Sequence, residues 1–416
     1  MQTSILFAPL LLCAFATLRL CVKLTYVSNG LRVNKNDLSK PQPTQMVSDL
    51  AVLFLKLGVI AFGGPAAHIA MMEDEVVRRR RWMSRDEFLD LLGATNLIPG
   101  PNSTELAIHI GHRQAGWPGL LIAGICFILP AVLIVTAFAW AYVRYGSLPQ
   151  VAGVLYGVKP VIIAVVLQAL WSLGRTAVKT TFLAVVGLAG VVLTLSGVHE
   201  LLILAAAGLV VAVANAKHAS RRFPSLISTS QLALFLQSAA AATSSFGLWP
   251  LFLFFLKVGA VLYGSGYVLL AFIRADLVER WHWLSESQLL DAIAVGQVTP
   301  GPVFTTATFI GYVLGGSRGA IVATIGIFLP SFCFVALSGP LVPRIRRSPM
   351  AGAFLDGVNV AALSLMVVVT YQLGRAAIVD ITTLLLALVS ALLLLRFRIN
   401  SAWLVLGGAI VGWIVF

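Results

Sequence analysis

Two Pro-Gly-Pro triplets, each followed by hydroxyl or amide side chains, are the residues whose types and spacing could do chemistry. They comprise Pro99, Gly100, Pro101, Asn102, Ser103 and Thr104 in the first half of the chain, and Pro300, Gly301, Pro302, Thr305 and Thr306 in the second. Proline lacks the backbone N–H and glycine tolerates unusual dihedrals, so each triplet ends one helix and the polar residues can begin another. A helix N-terminus with free N–H groups suits an anion, but ordinary capping without a ligand would use the same residues.

Two lysines, Lys56 and Lys257, lie within apolar runs at equivalent places in the two halves. A lysine at the centre of a bilayer costs about 2.5–3.5 kcal/mol on insertion scales, so it normally faces a partner or a cavity. We predict that these lysines attract an anion. The alternative is that their side chains extend along a helix end to the membrane surface.

Three carboxylates flank the Pro-Gly-Pro breaks. Asp90 and Asp291 precede the two breaks at equivalent positions, and Glu105 follows the first. Glu105 has no acidic counterpart in the second half. A carboxylate in such a setting could take up and release a proton, which makes all three candidates for proton coupling. Pairing with a nearby lysine is the alternative.

The elements that position these residues are predicted to be membrane helices. Of 416 residues, 59% are hydrophobic and only 11% are charged, and apolar runs of roughly 20 residues, the length of a span, recur along the chain. An open strand edge cannot be satisfied in lipid, so we predict an all-α polytopic membrane protein in which each helix break lines a cavity or is buried in protein. The net charge of +13 fits basic cytoplasmic loops and requires no nucleic-acid partner.

The chain is an internal duplication. Residues 54–58, Phe-Leu-Lys-Leu-Gly, match residues 255–259, Phe-Leu-Lys-Val-Gly, at an offset of 255 − 54 = 201, which also aligns the two Pro-Gly-Pro triplets. After the second triplet one residue is lost and the offset becomes 200, as in Leu-Gly-Arg at 173–175 and 373–375. So many coincidences with a single gap indicate two homologous repeats.

The repeats divide the chain into an N-terminal apolar segment and linker (1–47), a first repeat (48–215), a basic linker (216–249) and a second repeat (250–416). Each repeat is predicted to contain six helical segments, a to f: 50–72, 87–111, 116–142, 151–174, 180–196 and 199–215 in the first, and 250–273, 286–311, 318–342, 352–373, 378–395 and 400–416 in the second. Segment b is the hairpin broken by Pro-Gly-Pro. Residues 5–20 lack a basic n-region and are either a spanning or a surface helix.

The distribution of Lys and Arg predicts how the repeats are oriented. Basic clusters fall in loops a/b, b/c and d/e and after segment f in the first repeat, but in loops c/d and e/f in the second. If all these clusters face the cytoplasm, segment b must enter and leave on one side as a re-entrant hairpin. Each repeat then crosses five times, so the second is inverted relative to the first. Inverted repeats with broken helices at the site are typical of secondary transporters.

Several motifs occur together in this chain: Phe-Gly-Gly-Pro-Ala-Ala-His at 62–68, Arg-Arg-Arg-Trp at 79–82, Gly-Trp-Pro-Gly at 116–119, and Pro-Gly-Pro in both halves. With the duplication, they make residues 48–416 resemble the chromate ion transporter family in its two-domain, long-chain form. The resemblance implies export of chromate from the cytoplasm by an antiporter that draws on an ion gradient. The family positions carried over are Gly63, Gly64, Pro65, His68, Arg81, Trp82 and the residues of both triplets.

We therefore predict a multi-pass secondary transporter of the cell (inner) membrane, without a cofactor, that exports chromate with a proton as the coupling ion. The anion would lie near the midplane of the bilayer between the two hairpins, held by helix N-termini, by the hydroxyls that follow the triplets and by Lys56. Rocking of one half against the other would alternate access to it.

Other functions stay open at this stage. Sulfate is also a tetrahedral dianion, so transport of sulfate or another such oxyanion is an alternative, as is an anion channel. The sequence is compatible with a homodimer. A membrane enzyme lacks support, because no HExxH or paired-cysteine signature is present, and the G-x-S-x-G match at residues 315–319 lies between two predicted membrane helices, without the strand-to-helix turn that a nucleophilic serine requires.

Overall fold

The computed structural model describes residues 43–62, 64–146, 148–216, 246–263, 266–346, 348–397 and 399–415. Most of the predicted N-terminal segment, most of the basic linker and Gly63 lie outside the described residues. Asp49–Phe416 form one compact unit, to which all packing below refers. Of the other unit, Met1–Ser48, only the start of the first helix is described.

The described residues form helices and short connections, without a β-strand, in agreement with the predicted all-α class. The first repeat contains α1 (Pro43–Ile60), α2 (Gly64–Glu73), a π-helix (Asp74–Arg79), α3 (Arg85–Thr95), α4 (Asn102–Tyr145), α5 (Pro149–Ala177), α6 (Thr181–Leu195) and α7 (Glu200–Ala216). The second contains α8 (Leu248–Val261), a 3₁₀ turn (Gly266–Val268), α9 (Leu269–Ile273), a π-helix (Arg274–Arg280), α10 (Glu286–Val298), a 3₁₀ turn (Val303–Thr305), α11 (Thr306–Arg346), α12 (Pro349–Ala377), α13 (Ile381–Phe397) and α14 (Ser401–Val415).

Segment a is broken in both repeats, so the prediction of one continuous helix is wrong. α1 ends at Ile60 and α2 begins at Gly64, whose φ is +78°; in the second repeat α8 ends at Val261. Pro65 stands in the first turn of α2, where its missing N–H leaves no helical hydrogen bond unmade. Each repeat therefore carries two breaks, one in segment a and one in hairpin b.

Segment b is a helical hairpin. A capping box begins its first arm in each repeat: the Ser84 hydroxyl accepts a hydrogen bond from Glu87 N–H (3.2 Å), and Ser285 accepts one from Gln288 N–H (3.1 Å). The two ends of the first hairpin lie together, because Arg113 Nη2 is 3.2 Å from Glu87 Oε1. The chain therefore enters and leaves this hairpin at the same end.

A sharp kink joins the second arm of each hairpin to segment c. The φ of Gly116 inside α4 is +61°, and that of Gly316 inside α11 is +59°. A Cβ atom at Gly111 would lie 2.2 Å from the carbonyl oxygen of Gly119, although 119 − 111 = 8 residues of straight helix would separate them by about 12 Å. α4 thus folds back on itself, and its part after the kink is the predicted segment c.

The repeats interlock through their d helices, α5 and α12. Helices α13 and α14 of the second repeat pack on α5, and α6 and α7 of the first pack on α12. Glycines permit this approach, because a Cβ atom at Gly157 would lie 2.0 Å from the carbonyl oxygen of Gly408 and one at Gly357 would lie 2.4 Å from that of Ala207. Each repeat thus packs its d helix with helices of the other repeat.

The two d helices run antiparallel. Tyr156, near the start of α5, donates a hydrogen bond to Asp380, just beyond the end of α12 (2.5 Å). Lys179, just beyond the end of α5, pairs with Asp356 near the start of α12 (2.7 Å). The start of each d helix therefore lies beside the end of the other.

Helices long and apolar enough to cross a membrane are present in the described part of both repeats. They are Asn102–Tyr145, Pro149–Ala177, Val303–Ser338 and Pro349–Ala377. α6, α7, α13 and α14 are shorter but also apolar, and large apolar side chains such as Leu188 and Ile414 are exposed on them. An apolar outer surface of this extent suits a lipid environment. The fold is that of a multi-pass membrane protein.

Candidate functional site

The breaks of the two repeats meet in reciprocal contacts. The N–H of Gly100, at the tip of the first hairpin, donates to the carbonyl of Leu262, just beyond α8 (2.8 Å). The N–H of Gly301, at the tip of the second hairpin, donates to the carbonyl of Ala61, just beyond α1 (3.0 Å). The donors and the acceptors are both 201 residues apart (301 − 100 and 262 − 61). Each hairpin tip therefore donates a hydrogen bond to a carbonyl group at the break in segment a of the other repeat. Backbone polar groups buried away from water require such partners.

The tips need glycine for two reasons. The φ angles of Gly100 and Gly301 are +140° and +91°, a region that side chains disfavour. A Cβ atom at position 301 would also lie only 2.8 Å from the Cβ atom of Ala131. The flanking prolines and both glycines are buried. The structure therefore brings all the predicted Pro-Gly-Pro residues to the two contacts between a hairpin tip and the broken segment a of the other repeat, which we call the crossings.

A cavity of about 70 Å³ lies beside one of these crossings, between the α1–α2 break and the second hairpin. Its lining combines both repeats: Ala61, Gly64, Val165, Gln168, Tyr267, Gly296, Gln297, Thr299, Gly301, Val303 and Ser401. Of the predicted site residues, Gly64 and Gly301 are in this lining. The polar members Gln168, Tyr267, Gln297, Thr299 and Ser401 were missed, because only the fold brings them together.

Gln297 carries a hydrogen-bond donor that the fold leaves free. Its Oε1 accepts a hydrogen bond from the Tyr267 hydroxyl (3.1 Å), while its buried Nε2 has no partner among the described residues. An amide nitrogen has two N–H groups and only donates. The equivalence of Gln297 with Asn96 (297 − 96 = 201), two amide side chains just before the two triplets, is the sequence signal that could have identified it.

His68 supports the break of the first repeat. Its Nε2–H donates to the carbonyl of Ala61 (3.0 Å), so its Nδ1 accepts from the Ser103 hydroxyl (3.3 Å). Ala61 is the same residue that accepts from Gly301. The two hydrogen bonds of His68 therefore link α2 to the break at Ala61 and to Ser103 in the second arm of the first hairpin. His68 and Ser103 are both predicted site residues.

The remaining hydroxyls and the amide after the triplets do not converge on one point. The Thr305 hydroxyl donates to the carbonyl of Pro302 and that of Thr306 to the carbonyl of Val303, both at 2.8 Å. Thr104 is buried with no partner for its hydroxyl among the described residues. Asn102 Nδ2 donates to Asn96 Oδ1 (2.8 Å).

Both predicted lysines are paired with carboxylates of the π-helices. Lys56 Nζ is 2.7 Å from Glu75, and Lys257 Nζ is 2.5 Å from Asp276. These carboxylates are themselves equivalent, since 276 − 75 = 201. A lysine that is compensated by a carboxylate attracts an anion less than a free one does. Anion attraction by Lys56 and Lys257 stays a prediction.

The three predicted carboxylates have different surroundings. Glu105 is fully buried, and neither carboxyl oxygen has a hydrogen-bond partner among the described residues. Asp291 is buried between the repeats, 3.2 Å from Lys159 Nζ, and accepts a hydrogen bond from the Tyr142 hydroxyl (2.9 Å). Asp90 is exposed. The alternative of pairing with lysine therefore describes Asp291 but not Glu105.

Broken helices that cross beside a buried polar cavity, within a bundle of apolar helices, define a membrane transporter. The chain belongs to the chromate transporter family. The model of that family, described as chromate transporter, matches residues 48–212 and 249–413, one match in each repeat. Members of this family are transporters and not enzymes.

Relatives of known name match nearly the whole chain. The chromate transport protein of Cupriavidus metallidurans is 34% identical, over 90% of this chain and 94% of that protein. The probable chromate transport protein of Synechococcus elongatus is 33% identical, over 86% of this chain and 92% of that protein. The chromate transport protein of Pseudomonas aeruginosa is 30% identical, over 90% and 94%. No solved structure matches the chain.

Proposed function

We propose that this protein exports chromate from the cytoplasm across the cell (inner) membrane and uses the proton gradient to do so. The observation that carries the proposal is the cavity at the crossing of the broken helices. Its volume of about 70 Å³ leaves room for a small polar solute such as a tetrahedral oxyanion. No Lys or Arg is among the described residues of its lining, so amide, hydroxyl and backbone groups would hold the dianion.

The choice of chromate rests on the names of the relatives. Three proteins that match most of this chain are named as chromate transport proteins or probable ones. Sulfate has the same charge and shape, and neutral donors would also bind it. Competition between the two anions therefore measures how selective the site is.

In the proposed site the anion lies between the α1–α2 break and the tip of the second hairpin. Gln297 supplies the amide N–H groups, and Gly64 and Gly301 let the backbone approach. His68 holds the Ala61 carbonyl in place and does not itself enter the lining. Ligand roles for the hydroxyls after the triplets stay predictions.

Two observations support the inverted arrangement and the re-entrant hairpins. The antiparallel α5 and α12 are what repeats of opposite orientation require. In addition, the pair of Lys179 and Asp356 joins loop d/e of the first repeat to the start of segment d in the second. These two regions carry basic clusters and were predicted to face the cytoplasm. The joined ends of the first hairpin fit a segment that enters and leaves on that side.

Unequal burial of the two hairpins supports alternating access. Leu89 in α3 is 46% exposed, whereas its equivalent Leu290 in α10 is 1% exposed. α10 is held by Lys159, which contacts Asp291 (3.2 Å) and donates to Ser287 (2.7 Å). With the predicted orientation, a state open towards the cytoplasm and closed towards the outside would account for this difference in burial.

The proposal is tested by chromate uptake into everted membrane vesicles that contain the protein and are energised by respiration. We expect accumulation of chromate, which collapses when the proton gradient is dissipated and falls when excess sulfate competes. Vesicles without the protein are the control.

Two outcomes would contradict the proposal. Absence of uptake by well-inserted protein would exclude chromate as the substrate. Electrogenic chromate flux that ignores the proton gradient would indicate a channel instead of a coupled carrier. A homodimer stays a prediction.

A further inference from the structure

The buried carboxyl of Glu105 lies at the tip of the first hairpin, away from the cavity of the second. We infer that Glu105 is the group that carries the coupling proton, and that its charge controls the contact between the two repeats at Gly100. This inference rests on the proposed function and extends it. It also distinguishes Glu105 from the other two carboxylates near the breaks.

Glu105 is compensated by no charged group in the described part of the chain, and the neutral Ser331 hydroxyl is the side-chain group that acts on its carboxyl. Its exposed fraction is 0%. A carboxylate in such a place is strongly destabilised unless a proton or a cation neutralises it. The side chain is therefore protonated, or bound to a cation, whenever the hairpin has this conformation.

The position of the carboxyl connects its charge to the hairpin tip. A Cβ atom at Gly100 would lie 2.2 Å from Glu105 Oε1 and 2.7 Å from Ser331 Oγ, so the carboxyl and this hydroxyl occupy the space against the Gly100 backbone. Ser331 belongs to α11 of the second repeat, and the N–H of Gly100 donates to Leu262 of that repeat (2.8 Å). The carboxyl thus lies where the first hairpin contacts two elements of the other repeat.

Other titratable groups nearby are engaged or do not balance the charge. His68 of α2 is bonded to the Ala61 carbonyl and to Ser103. His109, one turn along α4, is buried, and Tyr263 follows Leu262 in the second repeat. None of the ion pairs in the described part of the chain includes Glu105. A change in the protonation of Glu105 is therefore a change in uncompensated buried charge.

A cycle follows from this placement. A proton from the outer water binds the Glu105 carboxylate and makes it neutral, which permits the buried contact with Gly100 and Ser331. Loss of the same proton to the cytoplasm restores the negative charge, and the hairpin tip must then separate from the second repeat to hydrate it. One proton moves inwards each time the tip closes and opens again, while chromate leaves in the opposite direction.

Glu105→Gln tests the inference, because glutamine has the shape of the protonated side chain and cannot release a proton. In energised everted vesicles we expect chromate accumulation to fall to the level of de-energised vesicles. Exchange of labelled for unlabelled chromate should slow as well, because a side chain that stays neutral no longer separates the hairpin tip from the second repeat. Asp86→Asn, an exposed carboxylate in the first arm of the same hairpin, is the matched control and should preserve both activities.

A second variant covers the case in which Glu105→Gln fails to insert. Glu105→Asp keeps a titratable group but draws it back from Gly100, and we expect gradient-driven accumulation with a shifted dependence on pH. Gradient-driven accumulation by Glu105→Gln would overturn the inference while leaving chromate transport established. Accumulation by the wild type that follows a sodium gradient in place of the proton gradient would also overturn it. Absence of both accumulation and exchange in the wild type would instead reject the proposed function.

Discussion

The amide nitrogen of Gln297 is the group in the cavity that the fold leaves available to a ligand. Its own oxygen is occupied by the Tyr267 hydroxyl, and its N–H groups have no partner within the described part of the chain. A buried donor without a partner costs about 1–3 kcal/mol. A transported oxyanion would recover that cost each time it binds, which makes the free donor a contribution to affinity.

Gln297→Leu is therefore expected to weaken chromate binding. It keeps most of the volume and removes the donor, and a loss of about 1.4 kcal/mol corresponds to a tenfold higher apparent KM. The measurement is initial uptake against chromate concentration in everted vesicles. Gln168→Leu is the matched control from the same lining, because the Gln168 amide already donates to the carbonyl of Leu394 (3.4 Å). An unchanged KM for Gln297→Leu would exclude this residue as a ligand.

At the scale of elements, each hairpin tip is joined by hydrogen bonds and packing to the broken helix of the other repeat. The tips donate backbone N–H groups to carbonyls that α1 and α8 leave free at their ends. The tip of the second hairpin also packs against Ala131 in α4, and the tip of the first against Ser331 in α11, an equivalent position (331 − 131 = 200). Movement of a hairpin must therefore involve the broken helix of the other repeat.

Gly301→Ala is expected to abolish transport by disturbing one crossing. The new Cβ atom would lie 2.8 Å from that of Ala131, and a left-handed backbone costs an alanine about 1–2 kcal/mol. Adding Ala131→Gly removes the clash but not the backbone cost, so we expect partial recovery of vesicle uptake. Gly407→Ala should transport normally, because no described atom outside its own helical turn lies within 4 Å of the new Cβ. Wild-type transport by Gly301→Ala would show that the crossing is not needed.

At the scale of the whole molecule, the two repeats share contacts but differ in charge. Arg85 pairs with Glu73 in the first repeat (3.5 Å), and the equivalent residues Glu286 and Arg274 pair in the second, with the charges exchanged (286 − 85 = 274 − 73 = 201). The ion pair is thus preserved while a basic residue is removed from the first arm of the second hairpin. Each repeat keeps one Arg and one Glu at this contact, so the exchange reverses the ion pair without changing the number of basic residues there.

Thiol labelling tests whether the first arms of the two hairpins differ in their exposure to water. In a background with Cys13, Cys21, Cys126 and Cys333 replaced by serine, we expect Leu89→Cys to react with a membrane-impermeant reagent in everted vesicles. Leu290→Cys should stay unreactive from both sides in de-energised membranes, because its side chain is 1% exposed. During transport it should become reactive from the outside. Asp86→Cys, which is exposed in the structure, is the control for access. Equal reactivity of Leu89→Cys and Leu290→Cys at rest would contradict a state closed at the second hairpin.

The amino-acid sequence by itself determined the helical class, the duplication and the two hairpin tips. These features depend on local signals: apolar runs of spanning length, a constant offset between similar residues, and Pro-Gly-Pro, which cannot continue a helix. The break in segment a was missed even though Gly64 and Pro65 were noted, because small residues also serve close packing between continuous helices.

Only the tertiary structure decided which side chains meet. The partners of Lys56 and Lys257, the isolation of Glu105 and the cavity lining of Gln168, Gln297 and Ser401 follow from the interlocking of the two repeats. Residues at equivalent positions of the two repeats differ in burial, since Asp90 is exposed and Asp291 is buried beside Lys159. Such contacts join residues far apart in the chain and depend on how the helices pack, so no pattern within one segment encodes them.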